Sequence, residues 1–241
     1  MKKLFDKDQV WFAVVWILIY VIGFANADSL SETIGIPKLL TVLFGLAVAA
    51  VLCFFIRKHH LEDYFGLCPV AGERKYYLYF LPLIVISSVN FWCGVTIQAP
   101  FLEILLYILS MCLVGFLEEV IFRGLLFKGM CKSNVTVAII VSSLTFGVGH
   151  IVNMLLGAPL FETLLQLIYA SAIGFCYTAI FHVSGSIIPC ILSHIFVNST
   201  SIFAIDPSPA GNILITVIQT VLGLGYGLWL LHKAPVKNQS M

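Results

Sequence analysis

The sequence has very little charge and no stretch that stays polar for more than a few residues. Only 10% of its 241 residues are charged and 60% are hydrophobic, with a mean hydropathy of +1.03. An ordinary soluble domain carries roughly 25% charged residues. The net charge of +1 comes without a basic patch, so nothing indicates a nucleic-acid partner. The sequence therefore predicts an all-α, polytopic membrane protein, a single domain over 1–241 whose surroundings are the lipid bilayer.

Paired cysteine motifs and a zinc-protease motif are also missing. The seven cysteines form no CxxC pair, and no HExxH sequence occurs. An odd number of cysteines scattered through apolar segments argues against a disulfide framework and against a zinc knuckle. There is no internal repeat, no low-complexity tract and no extramembrane domain. Lys2 and Lys3 precede an apolar run without a small-x-small cleavage site, which predicts an uncleaved first helix.

Apolar runs of membrane-spanning length predict eight transmembrane helices. They cover residues 10–24, 37–56, 76–92, 101–129, 134–152, 163–182, 186–205 and 212–231. Short connections separate them, beginning with a polar loop over 26–36. Lysine and arginine concentrate at the N-terminus and after the second, fourth and eighth runs, so the positive-inside rule places both termini in the cytoplasm. The minimal loops favour a bacterial cell membrane.

Two adjacent carboxylates and an arginine interrupt the fourth apolar run, at Glu118, Glu119 and Arg123. A charged side chain at the centre of a membrane helix costs about 2.5–3.5 kcal/mol on insertion scales, so such charges indicate a functional site. Residues four apart share a helix face, which predicts an ion pair between Glu119 and Arg123. Glu118 is rotated by about 100° from that pair. It therefore faces other partners and is the carboxylate available for chemistry.

Two further polar pairs lie inside apolar runs, and each pair shares one helix face. Phe146 precedes His150 by four residues in the fifth run, and His194 precedes Asn198 by four in the seventh. Each histidine alone is as readily an interhelical hydrogen bonder as part of a site. Together with the free glutamate they satisfy one another in one water-filled cavity, which is the interpretation favoured here. The predicted cavity lies within the membrane and opens to the cytoplasm.

The three motifs together resemble those of the CAAX protease and bacteriocin-processing family of intramembrane proteases, which includes type II CAAX prenyl endopeptidases. That family's pattern is EExxxR, then FxxxH, then HxxxN/D on successive membrane helices. Here it stands as Glu118 to Arg123, Phe146 to His150 and His194 to Asn198. The resemblance covers residues 103–199, within an expected catalytic core over 101–205. It implies eight helices around an intramembrane catalytic cavity and endopeptidase activity on a membrane-associated peptide or protein, prenylated in some members.

Carried over position by position, the resemblance implies four catalytic residues, Glu118, His150, His194 and Asn198. The glutamate would be the general base that activates water, and His150 would help to hold or deprotonate that water. His194 and Asn198 would donate hydrogen bonds to a developing oxyanion. The expected supporting residues are Glu119, Arg123, Phe146 and Asn153. Among them, the predicted ion pair would hold the fourth helix in register.

Three alternatives remain beside this interpretation. A zinc-dependent form of the same protease would use Glu118, His150 and His194 as ligands. Without an HExxH motif, and with each ligand on a separate helix, a metal-free site with no cofactor is favoured. A catalytically inactive scaffold or bacteriocin-immunity protein would keep the fold without turnover. A proton-coupled transporter also places glutamate and histidine in the membrane, although no inverted repeat is present.

Overall fold

A computed structural model describes residues 1–70 and 80–233. The regular secondary structure of these residues is helical, and a single antiparallel bridge pairs Val95 with Ala204. The α-helices are α1 (Lys2–Lys7), α2 (Gln9–Thr33), α3 (Leu39–Lys58), α4 (Leu81–Ser87), α5 (Phe101–Glu118), α6 (Lys128–Cys131), α7 (Val135–Gly149), α8 (Val152–Leu155), α9 (Leu160–Ser184), α10 (Ile188–Thr200) and α11 (Pro209–Lys233). A π-helical segment, Glu119–Phe127, joins α5 to α6.

Six helices in the described part of the chain are long and apolar enough to cross a membrane, so the chain is an integral membrane protein. They are Gln9–Thr33, Leu39–Lys58, Phe101–Cys131, Val135–Met154, Leu160–Ser184 and Pro209–Lys233, and they correspond to six of the predicted runs. The predicted count of eight is not confirmed. The seventh run forms a shorter apolar helix, Ile188–Phe203. The third predicted run, 76–92, lies partly outside the described residues.

The polar residues at 26–33 are helical, although the sequence predicts a loop there. Side chains in this stretch bond to their own helix; for example, Ser31 Oγ donates to the carbonyl of Ala27 at 2.8 Å. Polar side chains that are satisfied in this way allow α2 to continue. Beyond them, Lys38 Nζ donates to Asp28 Oδ1 at 2.7 Å and ties the end of α2 to the chain entering α3.

Local signals begin and end the long helices. Asp8 caps α2, because its carboxylate accepts hydrogen bonds from the backbone nitrogens of Val10 and Trp11, each at 2.9 Å. Proline residues stand directly before α5 and α9, at Pro100 and Pro159. These signals set the helix boundaries on either side of the polar motifs.

Apart from Glu118, Glu119 and Arg123, the described charged residues divide between the two ends of the helix bundle. One end, here called the basic end, carries Lys2, Lys3, Lys7, Arg57, Lys58, Lys128, Lys132 and Lys233, with Asp6, Asp8, Glu62 and Asp63. The other, here called the acidic end, carries Asp28, Glu32, Lys38, Glu103, Glu162 and Asp206. Contacts hold the basic end together: Tyr64 donates to Gln9 Oε1 at 2.8 Å, and Gln9 packs on Gly129.

Aromatic rings fill the space between the helices at the basic end. This aromatic plug consists of Phe5, Phe12, Phe55, Phe65, Phe127 and Phe181, none of them more than 4% exposed. Their rings contact edge to face or tilted, with centroids 5.2 Å apart for Phe12 and Phe55 and 5.8 Å apart for Phe127 and Phe181. Interlocked rings of this kind pack without gaps large enough for water. The plug fills the helix bundle between the polar motifs and the basic end.

Candidate active site

The glutamate motif lies where the helix that starts as α5 widens into its π-helical segment. All nine residues of Glu119–Phe127 are buried, and the helix runs without interruption from Phe101 to Cys131. Ser142 on α7 contacts this segment, and its Oγ donates a hydrogen bond to the carbonyl of Phe122 at 2.8 Å. π-helical turns occur frequently at functional sites, where they change the direction in which side chains point. Here the segment presents two charged residues to the protein interior.

Glu119 and Arg123 form the ion pair that their spacing predicts. Arg123 Nη1 donates to Glu119 Oε1 at 3.1 Å, and both side chains are fully buried. The guanidinium also donates through Nη2 to the carbonyl of Gly174 at 3.3 Å, and its Cζ lies 4.2 Å from the centroid of the Phe146 ring. The carbonyl and the aromatic face replace part of the water that the cation has lost. Arg123 thus links the π-helical segment to α7 and α9.

His194 lies between the two glutamates and contacts both. Its Nδ1 is 2.9 Å from Glu119 Oε1, and its Nε2 is 3.4 Å from Glu118 Oε2. The ring packs edge to face on Phe146, with centroids 5.6 Å apart. One imidazole therefore connects the carboxylate that is paired with arginine to the carboxylate that is not.

The contacts of His194 set where hydrogens must lie in this cluster. The oxygen of an ionised Glu119 only accepts, so Nδ1 of His194 carries the hydrogen of that bond. The other ring nitrogen, Nε2, faces Glu118 Oε2 at 3.4 Å, a close polar contact that is longer than an ordinary hydrogen bond.

Tyr20 is a partner of Glu118 that the sequence gives no reason to select. Its hydroxyl donates to Glu118 Oε1 at 2.6 Å, a short hydrogen bond typical of a charged acceptor. Tyr20 is buried, and it shares a face of α2 with Phe12, Trp16 and Phe24, spaced four apart. That spacing signals a packed helix face but says nothing of the distant glutamate. The two oxygens of Glu118 are thus oriented by α2 and by α10.

His150 stands at the end of α7, on the wall of a cavity that Glu118 and His194 also line. Its Nδ1 lies 3.1 Å from the carbonyl oxygen of Phe146, and its ring contacts the Phe146 ring edge to face at 5.3 Å. A carbonyl can only accept, so Nδ1 carries hydrogen and the neutral ring has its lone pair on Nε2. A lone pair on Nε2 suits His150 to accept a hydrogen bond from water.

The two asparagines of the motifs also lie on the cavity wall. Asn198 follows His194 by one turn of α10, as the spacing predicts. Asn153 lies in α8, and its Nδ2 donates to Gln166 Oε1 on α9 at 2.9 Å. Asn153 therefore braces the wall between two helices, whereas Asn198 stands next to the histidine that contacts both glutamates.

One cavity of roughly 700 Å³ brings the predicted residues together. Glu118, His150, His194 and Asn198 all line it, whereas Glu119 and Arg123 lie behind its wall. The cavity extends from these residues towards the acidic end, where its lining includes Asp28, Glu162 and Asp206. The sequence predicts an opening to the cytoplasm, on the side where the basic residues lie, whereas the lining runs to the opposite end of the bundle. The aromatic plug closes the basic end with residues too scattered along the chain to be recognised as a unit.

The zinc set considered from the sequence does not fit this geometry. Among the described residues, no group of three or more histidine, cysteine, aspartate or glutamate side chains could hold a metal ion. The metal-free site that the sequence favours stays a prediction.

Fold and site together define an integral membrane protein with a buried glutamate–histidine cluster at the inner end of a cavity. The family model described as Type II CAAX prenyl endopeptidase Rce1-like matches residues 100–200. The matched segment contains all three motifs, so the resemblance predicted from them is confirmed over this part of the chain: it is similar to a family of proteases. No curated protein matches the chain.

Proposed function

We propose that this protein is an intramembrane endopeptidase that cleaves a membrane-associated peptide or protein, prenylated proteins included, with a water activated by Glu118. The family match and the shared cavity support this proposal. One observation carries it. Glu118, the glutamate that is not paired with Arg123, lies at the inner end of the cavity, held by Tyr20 on one oxygen and contacted by His194 on the other. A carboxylate held in this way has a defined orientation towards a bound substrate.

In the proposed reaction, Glu118 takes a proton from a water molecule while the water oxygen attacks the carbonyl carbon of the scissile peptide bond. His150, with its lone pair on Nε2, accepts a hydrogen bond from the second hydrogen of that water, which stays on the water oxygen, and so orients the water. The carbonyl oxygen becomes an oxyanion, which receives hydrogen bonds from Asn198 and from protonated His194. Glu118 then returns its proton to the amide nitrogen, the carbon–nitrogen bond breaks, and an acid and an amine leave.

Glu119, Arg123 and Tyr20 take part without touching the substrate. Glu119 accepts from Nδ1 of His194 and stabilises the imidazolium, as a buried carboxylate does for a catalytic histidine elsewhere. Arg123 balances the charge of Glu119 and fixes its position. The Tyr20 hydroxyl binds Oε1 of Glu118, and therefore Oε2 is the oxygen that faces His194. These three are positioning residues.

The test is co-expression of the full chain with a panel of membrane-anchored peptides, including prenylated and unprenylated versions of the same sequence. Glu118→Gln should lower cleavage by roughly 10²–10⁴-fold, the usual contribution of a general base, while the protein still reaches the membrane. Glu103→Gln is the matched control, because Glu103 lies on the same helix outside the cavity lining. It should cleave normally.

A scaffold or immunity protein would behave differently in this experiment, since the Glu118→Gln variant would keep its cellular phenotype. Cleavage that persists in Glu118→Gln at the unmodified rate would contradict the proposal. A chelator is added to the same assay, and activity is expected to survive because the cluster offers no three-ligand set. Prompt loss that added zinc restores would overturn the metal-free mechanism.

A further inference from the structure

From the glutamate–histidine cluster, the lining of the cavity extends along the helices mainly in one direction. On α2 the lining residues run from Tyr20 to Asp28, and on α9 they run from Tyr177 to Glu162. On the helix of Glu118 they run back to Tyr107, and Phe122 is the one lining residue in the π-helical segment. Each of these directions leads to the acidic end. The mouth of the cavity therefore lies among the residues that connect the helices at that end.

The opposite direction is blocked. The aromatic plug lies between the cluster and the basic end, and its residues are almost completely buried. Phe65 packs on Gly124 in the π-helical segment, and Phe181 packs on Gly66. The backbone nitrogen of Ile187 donates to the carbonyl of Gly66 at 2.9 Å, which fastens the chain before α10 to the loop that carries Phe65. A polypeptide cannot reach the cluster from the basic end without displacing this core.

The distribution of basic residues indicates which end faces the cytoplasm. Short loops rich in lysine and arginine stay on the cytoplasmic side, and acidic residues contribute little to this rule. Within the described residues, Lys38 is the one lysine or arginine assigned to the acidic end, and it is paired with Asp28. The basic end carries the lysines of α1, of α6 and of the turn after α6, together with Arg57 and Lys58.

These two observations lead to one conclusion. We propose that the cavity opens on the extracytoplasmic face of the membrane, and that its substrate is a polypeptide segment exposed on that face. This inference rests on the proposed protease function for its substrate, but the direction of the opening is independent of catalysis. The substrate class is then a translocated peptide or the outer segment of a membrane protein. It is not a protein that presents its cleavage site in the cytoplasm.

The charges at the mouth of the cavity indicate which charge a substrate segment should carry. Glu162 and Asp206 are exposed and line the cavity, and Lys38 is the one lysine or arginine in the described lining. A mouth lined by acidic groups raises the local concentration of basic segments and repels acidic ones. A basic or neutral outer segment therefore suits this cavity better than an acidic one.

Cysteine labelling of the full chain in intact cells tests the direction of the opening. Cys93 is exposed and lies on the cavity lining, so it is first replaced in a Cys93→Ser parent. Ala210→Cys then places a thiol at the acidic end, and Ser133→Cys places one at the basic end, both at exposed positions. A membrane-impermeant maleimide should label the variant at 210 in intact cells, and the variant at 133 only after permeabilisation. The parent gives the background of the remaining cysteines.

Labelling at 133 in intact cells, with or without labelling at 210, would overturn the inference whether or not the protein is a protease. A second arm tests the substrate. One cleavage segment is anchored by a transmembrane helix in two orientations, and Glu118-dependent cleavage is expected for the exported orientation alone. Cleavage of the cytoplasmic orientation would leave the protease function standing and refute the outer substrate. If neither orientation is cleaved, the substrate assignment falls with the proposed function, while labelling still decides the direction of the opening.

Discussion

Tyr20 shows how far single residues can be predicted from this sequence. The pair of Glu119 and Arg123 is local, four residues apart on one helix, and its spacing predicts the contact that the structure contains. The hydroxyl of Tyr20 lies 98 positions from its partner Glu118 and comes from a helix outside the matched segment. No periodicity within α2 encodes that distance. Contacts between distant helices, including those of His194, depend on packing and become visible only in the folded chain.

Replacing Tyr20 with phenylalanine tests whether its hydroxyl orients Glu118, the proposed catalytic carboxylate. A hydrogen bond to a charged group is worth about 1.5–3 kcal/mol, so kcat should fall roughly 10–100-fold in the Tyr20→Phe variant. KM should stay unchanged, because the hydroxyl contacts Glu118 and not the substrate in the proposed mechanism. The measurement is steady-state cleavage of a reconstituted protein, with its thermal unfolding followed in parallel.

Tyr64→Phe serves as the control for that experiment. It also removes one tyrosine hydroxyl, which donates to Gln9 Oε1 at 2.8 Å, but at the basic end and outside the cavity lining. Its cleavage rate should equal that of the unmodified protein. A purely structural role for Tyr20 would appear as a lowered unfolding temperature with kcat unchanged, and that result would contradict its assignment as a positioning residue.

At the scale of elements, the position of His194 depends on how closely α10 approaches α5. Gly115 makes this approach possible, since a methyl group there would lie 2.9 Å from the backbone nitrogen of Ile195. Real side chains do not tolerate so short a distance to backbone, so one helix must move. Small residues allow membrane helices to pack in this way. The contact sets the distance between His194 and the glutamates one turn further along α5.

Gly115→Ala should therefore reduce cleavage while the protein still folds. Displacement of α10 by a fraction of an ångström to an ångström moves His194 away from Glu118, and misplacement of that size costs on the order of 10²-fold in rate. Gly225→Ala in α11 is the matched control, because nothing lies within 4 Å of its added methyl group. Equal activity of the two variants would show that the spacing between α5 and α10 does not govern the reaction.

The helices themselves were largely predictable, and their exceptions have physical causes. Each long apolar run specifies a helix on its own, which is why six predicted runs appear as six membrane-length helices. The π-helical segment could not be predicted, because the spacing of Glu119 and Arg123 is equally compatible with regular α-helical turns. Helix α2 continues through 26–33 because polar side chains there form hydrogen bonds with carbonyl groups of the helix itself. Sequence patterns do not report such local compensation.

At the scale of the whole molecule, the direction of the cavity could not be read from the sequence. The aromatic plug gathers rings from α1, α2, α3, the loop after α3, the π-helical segment and α9. Four of these phenylalanines lie in four different apolar runs, and Phe5 and Phe65 lie outside the runs. Their assembly at one end depends on the tertiary fold, and it leaves the acidic end as the route to Glu118.

An acidic mouth predicts a charge preference that can be measured on the whole molecule. Glu162→Gln combined with Asp206→Asn should lower kcat/KM for a basic peptide by roughly tenfold, within the range of electrostatic steering at a charged cleft. A neutral peptide of equal length should be cleaved at the unmodified rate. The loss should shrink as salt is added, because exposed charges are screened over about 10 Å at 0.1 M ionic strength.

Glu32→Gln combined with Glu103→Gln provides the control for this variant, since both residues lie at the acidic end but outside the cavity lining. The control removes the same formal charge and should leave the basic peptide unaffected. If both double variants lose activity equally, the overall charge of that end matters and the mouth does not. If the mouth variant loses activity on the neutral peptide as well, the two acidic residues act by holding the first turn of α9 and the chain before α11 in place, and the proposed charge preference is wrong.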